Sequence, residues 1–317
     1  NNYIYVIGGF DNNNIPLKTV EFIDLNFSKL GWNLLNYSLN EYRTDFSATI
    51  SNYGYIYAIG GYDPSNNKYL DTVEIFDLNE PELGWVILEN KLQSERSDFA
   101  LVTDINEICY IIGGKKKGDI KDEEYLDSYE TLNLGDKNDK WVTGEKKLNT
   151  KRCGLQACID NNRIIYAIGG KYKETTYSYL NSVEKFNTQE YNTSWEIHSN
   201  LNIARSNFGV AISLKNRIYI FGGENKPSST SSNLNSLKSV EMLDLNDTNP
   251  TWKEENSYLN QDRCNFGYIT DDKYDIYIMG GHKYDLEKTE LVTLDDAMIE
   301  RYKSNTEIVW FRKDNIG

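Results

Sequence analysis

Histidine is almost missing from this chain of 317 residues, with only His198 and His282 present. Imidazole is the commonest general base and transition-metal ligand, so this supply argues against histidine-based catalysis and histidine-rich metal centres. Cysteine is scarce too: Cys109, Cys153, Cys158 and Cys264 stand at irregular spacings that exclude a disulfide scaffold and a paired CxxC zinc site. On an extended strand Cys153 and Cys158 point to opposite faces, so they cannot share an ion. Buried thiols in a reducing, cytoplasmic compartment are expected, with no metal and no cofactor. Long apolar runs are lacking as well, since nothing approaches the roughly 20 residues of a spanning helix. Cations are in deficit, 34 Lys+Arg against 48 Asp+Glu, a net charge of -14. That balance opposes binding to nucleic acid or an anionic membrane, which relies on clustered cations.

Glycine and aromatics are plentiful, with 22 Gly, 24 Tyr and 6 Trp, and they repeat. Double glycines fall at Gly8-Gly9, Gly60-Gly61, Gly113-Gly114, Gly169-Gly170, Gly222-Gly223 and Gly280-Gly281, in steps of 52, 53, 56, 53 and 58. A Tyr precedes each pair by three residues: Tyr5, Tyr57, Tyr110, Tyr166, Tyr219 and Tyr277. Past each pair comes Val20-Glu21, Val73-Glu74, Tyr129-Glu130, Val183-Glu184, Val240-Glu241, and a degenerate Thr289-Glu290. All six tryptophans follow in register: Trp32, Trp85, Trp141, Trp195, Trp252 and Trp310. Ten or eleven residues beyond them stand Arg43, Arg96, Arg152, Arg205 and Arg263, each opening a mostly apolar stretch. One structural job is repeated in every unit, because each must bury the same side chains against its neighbour. Four short strands per unit of about 50 residues, called a to d from the Arg onward, make the pattern of a β-propeller blade.

These residues resemble the Kelch motif, over essentially the whole chain. The resemblance implies an all-β fold: a single six-bladed Kelch β-propeller over 1–317 with four antiparallel strands per blade. The blades would run approximately 1–38, 39–91, 92–147, 148–200, 201–258 and 259–317. Departures are modest, such as Asn133 and Asn187 where other units carry Asp24, Asp77 and Asp244. The chain opens at Asn1 directly in a strand-like segment and reads as a piece of a longer polypeptide. Only five strands follow an Arg, so the inner strand of blade 1 is expected to be missing from this fragment and supplied from outside it.

In an antiparallel blade the b–c and d–a connections share one face and the a–b and c–d connections share the other. The five arginines sit at d–a turns, among b–c segments that carry Lys115, Lys116, Lys117, Lys171, Lys173, His282 and Lys283. Glu80, Glu82, Glu190, Asp247, Asp295, Asp296, Glu300 and Glu307 give the c–d connections an acidic excess. A guanidinium fork matches carboxylate and phosphate. In Kelch adaptor propellers the arginine at this place contacts an acidic peptide, a role the resemblance carries onto Arg43, Arg96, Arg152, Arg205 and Arg263. The alternative stays open: a residue repeated in nearly every blade is equally a framework group, bonding carbonyls or the repeated Glu. Two positions on, Asp45, Asp98, Gly154, Asn207 and Asn265 vary and would make a pocket asymmetric. Tyr62, Tyr172 and Tyr284 are candidate contact residues or plain solvated tyrosines. The stretches 115–127 and 224–239 read as flexible by composition, either partner-specific lids or plain insertions.

The expected function is a protein-binding module for an acidic or phosphorylated partner segment. By resemblance it would be the recognition part of a larger adaptor, such as a ubiquitin-ligase subunit of the BTB-Kelch type. Oligomerisation is expected only through regions outside this fragment. A regulatory propeller fused to a catalytic domain such as a phosphatase, or a cytoskeletal scaffold, is the alternative. A propeller acting on sugar acids is disfavoured, because the glutamates here are motif residues in fixed register. No phosphate-binding glycine loop occurs, since each Gly pair leads to another strand and not to a helix.

Overall fold

The computed structural model describes residues 3–11, 13–26, 31–118, 122–136, 139–190, 193–226, 234–256, 258–270, 275–285, 290–294, 299–303 and 310–313. The chain divides into two compact units, Asn1–Cys153 and Gly154–Gly317.

Unit 1 begins with a three-stranded sheet, Tyr3–Ile7, Val20–Asp24 and Asn33–Leu34. Two four-stranded antiparallel blades follow. The first has Ser47–Ile50, Tyr55–Ile59, Val73–Asp77 and Trp85–Ile87 in that order. The second has Ala100–Thr103, Ile108–Ile112, Tyr129–Asn133 and Val142–Thr143. Unit 2 holds three more. They are Gln156–Ile159, Ile164–Ile168, Val183–Asn187 and Glu196–Ile197; Gly209–Ile212, Arg217–Phe221, Val240–Asp244 and Lys253–Glu254; and Gly267–Thr270, Asp275–Met279, Ile299–Lys303 and Trp310–Lys313.

The expectation of six blades is therefore corrected to five four-stranded blades among the described residues. There are six Gly-Gly copies, but a complete blade also needs the Arg-led strand a beside the strand that precedes the glycines, and among the described residues Tyr3–Ile7 pairs only with Val20–Asp24. The copy at Gly8-Gly9 builds three strands, as expected from its missing Arg-led strand, and so makes no complete blade. Its consequence is visible in burial: Tyr55–Ile59 is paired on both sides and covered from Ile56 onward, whereas Tyr3 and Val6 of the corresponding strand are exposed.

The last unit carries a second correction. Thr289-Glu290 is not its Val-Glu equivalent. Met279 faces Ile299 and Ile278 faces Glu300, just as Ile59 faces Val73 and Ala58 faces Glu74. The third strand thus lies ten residues later than the sequence suggests, and Glu300 belongs to that strand, not to an acidic c–d connection. An intervening ribbon, His282–Asp285 paired with Glu290–Thr293, displaces it.

Packing explains the motif. Tyr57, Tyr110, Tyr166, Tyr219 and Tyr277 are buried, as are Trp85, Trp141, Trp195 and Trp252, while Trp32 is only half-buried. Trp310 enters a fourth strand in register. Both glycines of every pair adopt positive φ, the first between 57° and 67° and the second between 94° and 103°. At Gly61 a Cβ would stand 2.7 Å from both Phe46 Cβ and the Thr44 carbonyl, so torsion and space each require glycine. First strands of adjacent blades lie side by side in unit 1, where the Thr49 and Thr103 hydroxyls are 3.1 Å apart.

Candidate functional site

The five arginines, the leading ligand candidates, are fully buried at 0% exposure. Each is held by its own blade. Arg96 donates through Nη1 to the carbonyls of Gly113 at 3.0 Å and Ser128 at 3.3 Å, and through Nη2 to Glu130 Oε1 at 2.6 Å. Arg205 repeats this with Gly222, Ser239 and Glu241 at 2.8, 3.2 and 2.8 Å. Arg43 does the same with Gly60, Thr72 and Glu74 at 2.8, 3.2 and 2.9 Å. Arg263 reaches the Gly280 carbonyl at 2.9 Å, and Arg152 donates Nε to Thr150 at 3.1 Å. The motif glutamates complete the arrangement: Glu130 also accepts the backbone N–H groups of Gln93 and Ser94 at 2.7 and 3.0 Å. Burial pulls the Arg96 and Arg205 guanidinia down, with Glu130 and Glu241 opposing it. The arginine and the Gly-Gly and Val-Glu elements therefore form one internal brace. The expectation that Arg43, Arg96, Arg152, Arg205 and Arg263 face a ligand is corrected, because their donors are turned inward.

The position two residues past each arginine has a backbone explanation. Asp45, Asp98, Gly154, Asn207 and Asn265 all have φ between 50° and 58°, the left-handed region that Asp, Asn and Gly tolerate best. In unit 1 the Asp98 N–H donates to the Asp45 carbonyl at 2.7 Å. In unit 2 Asn207 donates to Gly154 at 2.8 Å and Asn265 to Asn207 at 3.1 Å.

The residues after each Gly pair do not form plain loops. In five units they build a two-stranded ribbon: Tyr62–Asp63 with Lys68–Tyr69, Lys115–Lys117 with Glu123–Tyr125, Lys171–Lys173 with Tyr177–Tyr179, Glu224–Asn225 with Asn235–Ser236, and the ribbon of the last blade. The stretches 115–127 and 224–239 are accordingly ordered at their bases, while 119–121 and 227–233 lie outside the described residues. Charge sets one register directly, since Lys116 faces Glu124 and pairs with it at 3.4 Å.

Two clefts open between these ribbons, one in each unit. The unit 1 cleft, about 380 Å³, is lined by Asp45, Tyr62, Asn67, Tyr69, Ser97, Lys115, Lys117, Asp122 and Glu123. Glu123 accepts hydrogen bonds from Lys115 Nζ at 2.8 Å and from the Tyr69 and Tyr125 hydroxyls at 3.0 Å each. Burial pushes its carboxyl up, but Lys115 and the two hydroxyls outweigh that and hold it below its usual value. For Lys115 burial works downward and is overcome by Asp98 and Glu123, so the ammonium is held above its ordinary range.

The unit 2 cleft, about 320 Å³, is lined by Lys171, Tyr177, Tyr179, Asn207, Glu224, Lys226, Leu234 and Asn265. Glu224 is nearly buried, and its Oε1 accepts Lys171 Nζ at 2.6 Å, Asn207 Nδ2 at 3.1 Å and Ser206 Oγ at 3.3 Å. Lys173 Nζ lies 5.7 Å from the centre of the Tyr177 ring. Burial and the neighbouring Glu224 push the Tyr179 phenol up against the pull of Lys171.

Of the sequence candidates, Tyr62 lines the unit 1 cleft, where its hydroxyl donates to Asn67, and Tyr172 sits on the ribbon between Lys171 and Lys173. Glu123, Tyr69, Tyr177, Tyr179 and Glu224 were missed. A signal existed for Glu224: read in register, the residue after each Gly pair is Phe10, Tyr62, Lys115, Lys171, Glu224 and His282. The four cysteines are free and buried. Among the described residues no group of three or more His, Cys, Asp and Glu is placed to hold a metal ion.

Repeated antiparallel blades stitched by an arginine–glutamate brace define a repeat β-propeller. The Kelch motif family model matches residues 1–29 and 43–81, which supports a Kelch-repeat β-propeller. Among solved structures it is similar to one titled "Structure of YjhT", at a TM-score of 0.77 and 13% identity, over 98% of this chain and 95% of that one. No curated protein sequence matches.

Proposed function

We propose that this chain is a protein-interaction module, not an enzyme, and that the ribbon cleft of unit 2 receives a short acidic or phosphorylated segment of a partner. A Kelch propeller suggests such a module in general terms. The observation that supports the acidic specificity is the charge of this cleft: Lys171 and Lys226 stand against Glu224 alone, with Lys173 adjacent. Glu224 is already engaged by Lys171, which leaves the ammonium groups of Lys226 and Lys173 as the surplus. Tyr177 and Tyr179 add amphipathic surface of the type enriched at interfaces. The module would serve as the recognition part of a larger adaptor, in a reducing cytoplasmic setting consistent with four free, buried thiols. No helix among the described residues is long and apolar enough to cross a membrane.

The test is fluorescence anisotropy with a peptide panel of matched glutamate-rich, phosphoserine and glutamine-substituted members. Acidic members should bind with an affinity that falls as salt rises. The pair Lys173→Gln/Lys226→Gln should weaken them by about fivefold or more and flatten the salt dependence, as expected for rim charges of up to about 1 kcal/mol each. Equal binding of the glutamine peptides, or a double variant indistinguishable from the parent, would refute the reading.

A further inference from the structure

The two ribbon clefts carry opposite charge. In unit 1 Asp45, Asp122 and Glu123 set three carboxylates against the two ammonium groups of Lys115 and Lys117, leaving one surplus negative charge. Lys115 is spent on Glu123 at 2.8 Å and is further drawn to Asp98. It therefore offers little to an incoming anion. Asp122 is exposed, and among the described residues its carboxylate has no ion pair or hydrogen bond. Two further features indicate what this cleft would hold. The Tyr62 and Tyr69 rings stand side by side with centroids 5.2 Å apart and planes at 57°, and both line the cleft. The electron-rich face of a phenol attracts cations. Ser97 lines the cleft as well, and although the residue is wholly buried its hydroxyl has no hydrogen-bond partner among the described residues. A buried hydroxyl without a partner is costly, and an N–H donor from a ligand would satisfy it.

We propose that the unit 1 cleft is a receptor for a cationic side chain, a guanidinium or alkylammonium group carried by a partner peptide. Asp122 and Asp45 supply the counter-charge, the Tyr62 and Tyr69 rings form the walls, and Ser97 is the acceptor at the floor. This deepens the interaction-module reading and rests on it, but the site is separate from the acid-binding cleft. An occupant of unit 1 would thus be selected by charge opposite to that read in unit 2.

The experiment uses small probes on the intact chain, followed by NMR at the backbone amides of Tyr62, Ser97 and Lys115. Nα-acetyl-arginine amide and Nα-acetyl-lysine amide are titrated beside Nα-acetyl-citrulline amide, a neutral analogue of the first. The cationic probes should produce saturable shifts at these amides, and citrulline should not. Asp122→Asn should weaken the preferred cation by about two- to fivefold, the scale of one exposed charge pair, and Tyr62→Leu should weaken it again through the lost ring face. Lys173→Gln/Lys226→Gln should leave it unchanged, so failure of this site and failure of the acid-binding cleft are read separately. Equal response to citrulline, shifts that do not saturate, or full retention of binding in Asp122→Asn would overturn the proposal. The arginine-to-lysine ratio reports which cation the cleft prefers.

Discussion

Replacing Arg96 with Met separates a brace from a ligand contact. Arg96 and Glu130 are both wholly buried and 2.6 Å apart. Removing the guanidinium while keeping the carboxylate leaves a buried charge uncompensated, a loss of about 3–5 kcal/mol. The second variant, Arg96→Met with Glu130→Gln, removes that charge yet keeps an oxygen to accept the N–H groups of Gln93 and Ser94. What remains is the weakened bonding at those groups and the lost donors to Gly113 and Ser128, about 1–2 kcal/mol. The double variant should accordingly be more stable than the single one by about 2 kcal/mol. Urea unfolding followed by tryptophan fluorescence reads this directly, since Trp141 is buried in the same unit. With a slope of about 2 kcal/mol per molar urea, the single variant should lower the midpoint by about 1.5–2.5 M. A single variant within about 1 kcal/mol of the parent, or one whose only defect is ligand affinity, would show that Arg96 faces outward after all.

Gly61→Ala should destabilise by about 1–3 kcal/mol from its positive φ alone, and more from the 2.7 Å approach to Phe46 and Thr44; a melting temperature equal to the parent's would contradict the close approach. Glu123 should titrate below its usual 4.5 in a carbon-detected NMR measurement, because Lys115, Tyr69 and Tyr125 favour its charged form over the opposing effect of burial. Its contribution to ribbon stability is then complete above 4.5 and drains away as pH falls through the lowered value. A pKa at or above 4.5 would mean that burial dominates instead.

The motif was readable residue by residue because each of its marks reports a local requirement. Gly60-Gly61 shows in the sequence since a Cβ at either would stand within 2.8 Å of backbone, the Arg96 carbonyl at Gly60 and the Thr44 carbonyl at Gly61, and Trp85 or Trp141 shows since the largest side chains must be covered wherever a strand repeats. The same marks mislead where a unit is incomplete or lengthened. Gly8-Gly9 announces a blade that is only three strands here, and Thr289-Glu290 imitates a motif that Ile299-Glu300 actually fills. Spacing cannot tell a lengthened ribbon from a strand, because both alternate with period two.

The chain's shortage of histidine and surplus of acid by themselves argued against whole classes of chemistry, and its repeated Gly, Tyr, Trp and Arg marked an all-β repeat architecture that resembles the Kelch motif. They also named the residues that hold it. Tertiary structure alone decided which way those residues face. Arg96 finds Glu130 at a separation of 34 positions, and Lys171 finds Glu224 at 53. A periodic sequence records that an arginine is needed in each unit but carries no sign for its direction. Direction follows from which carbonyls and carboxylates the packed strands leave unpaired inside the blade, and these exist only once the strands are together. The clefts have the same origin: their walls are ribbon residues whose positions follow from cross-strand register, so the charge of each became legible only when Lys115 was seen beside Glu123 and Lys171 beside Glu224.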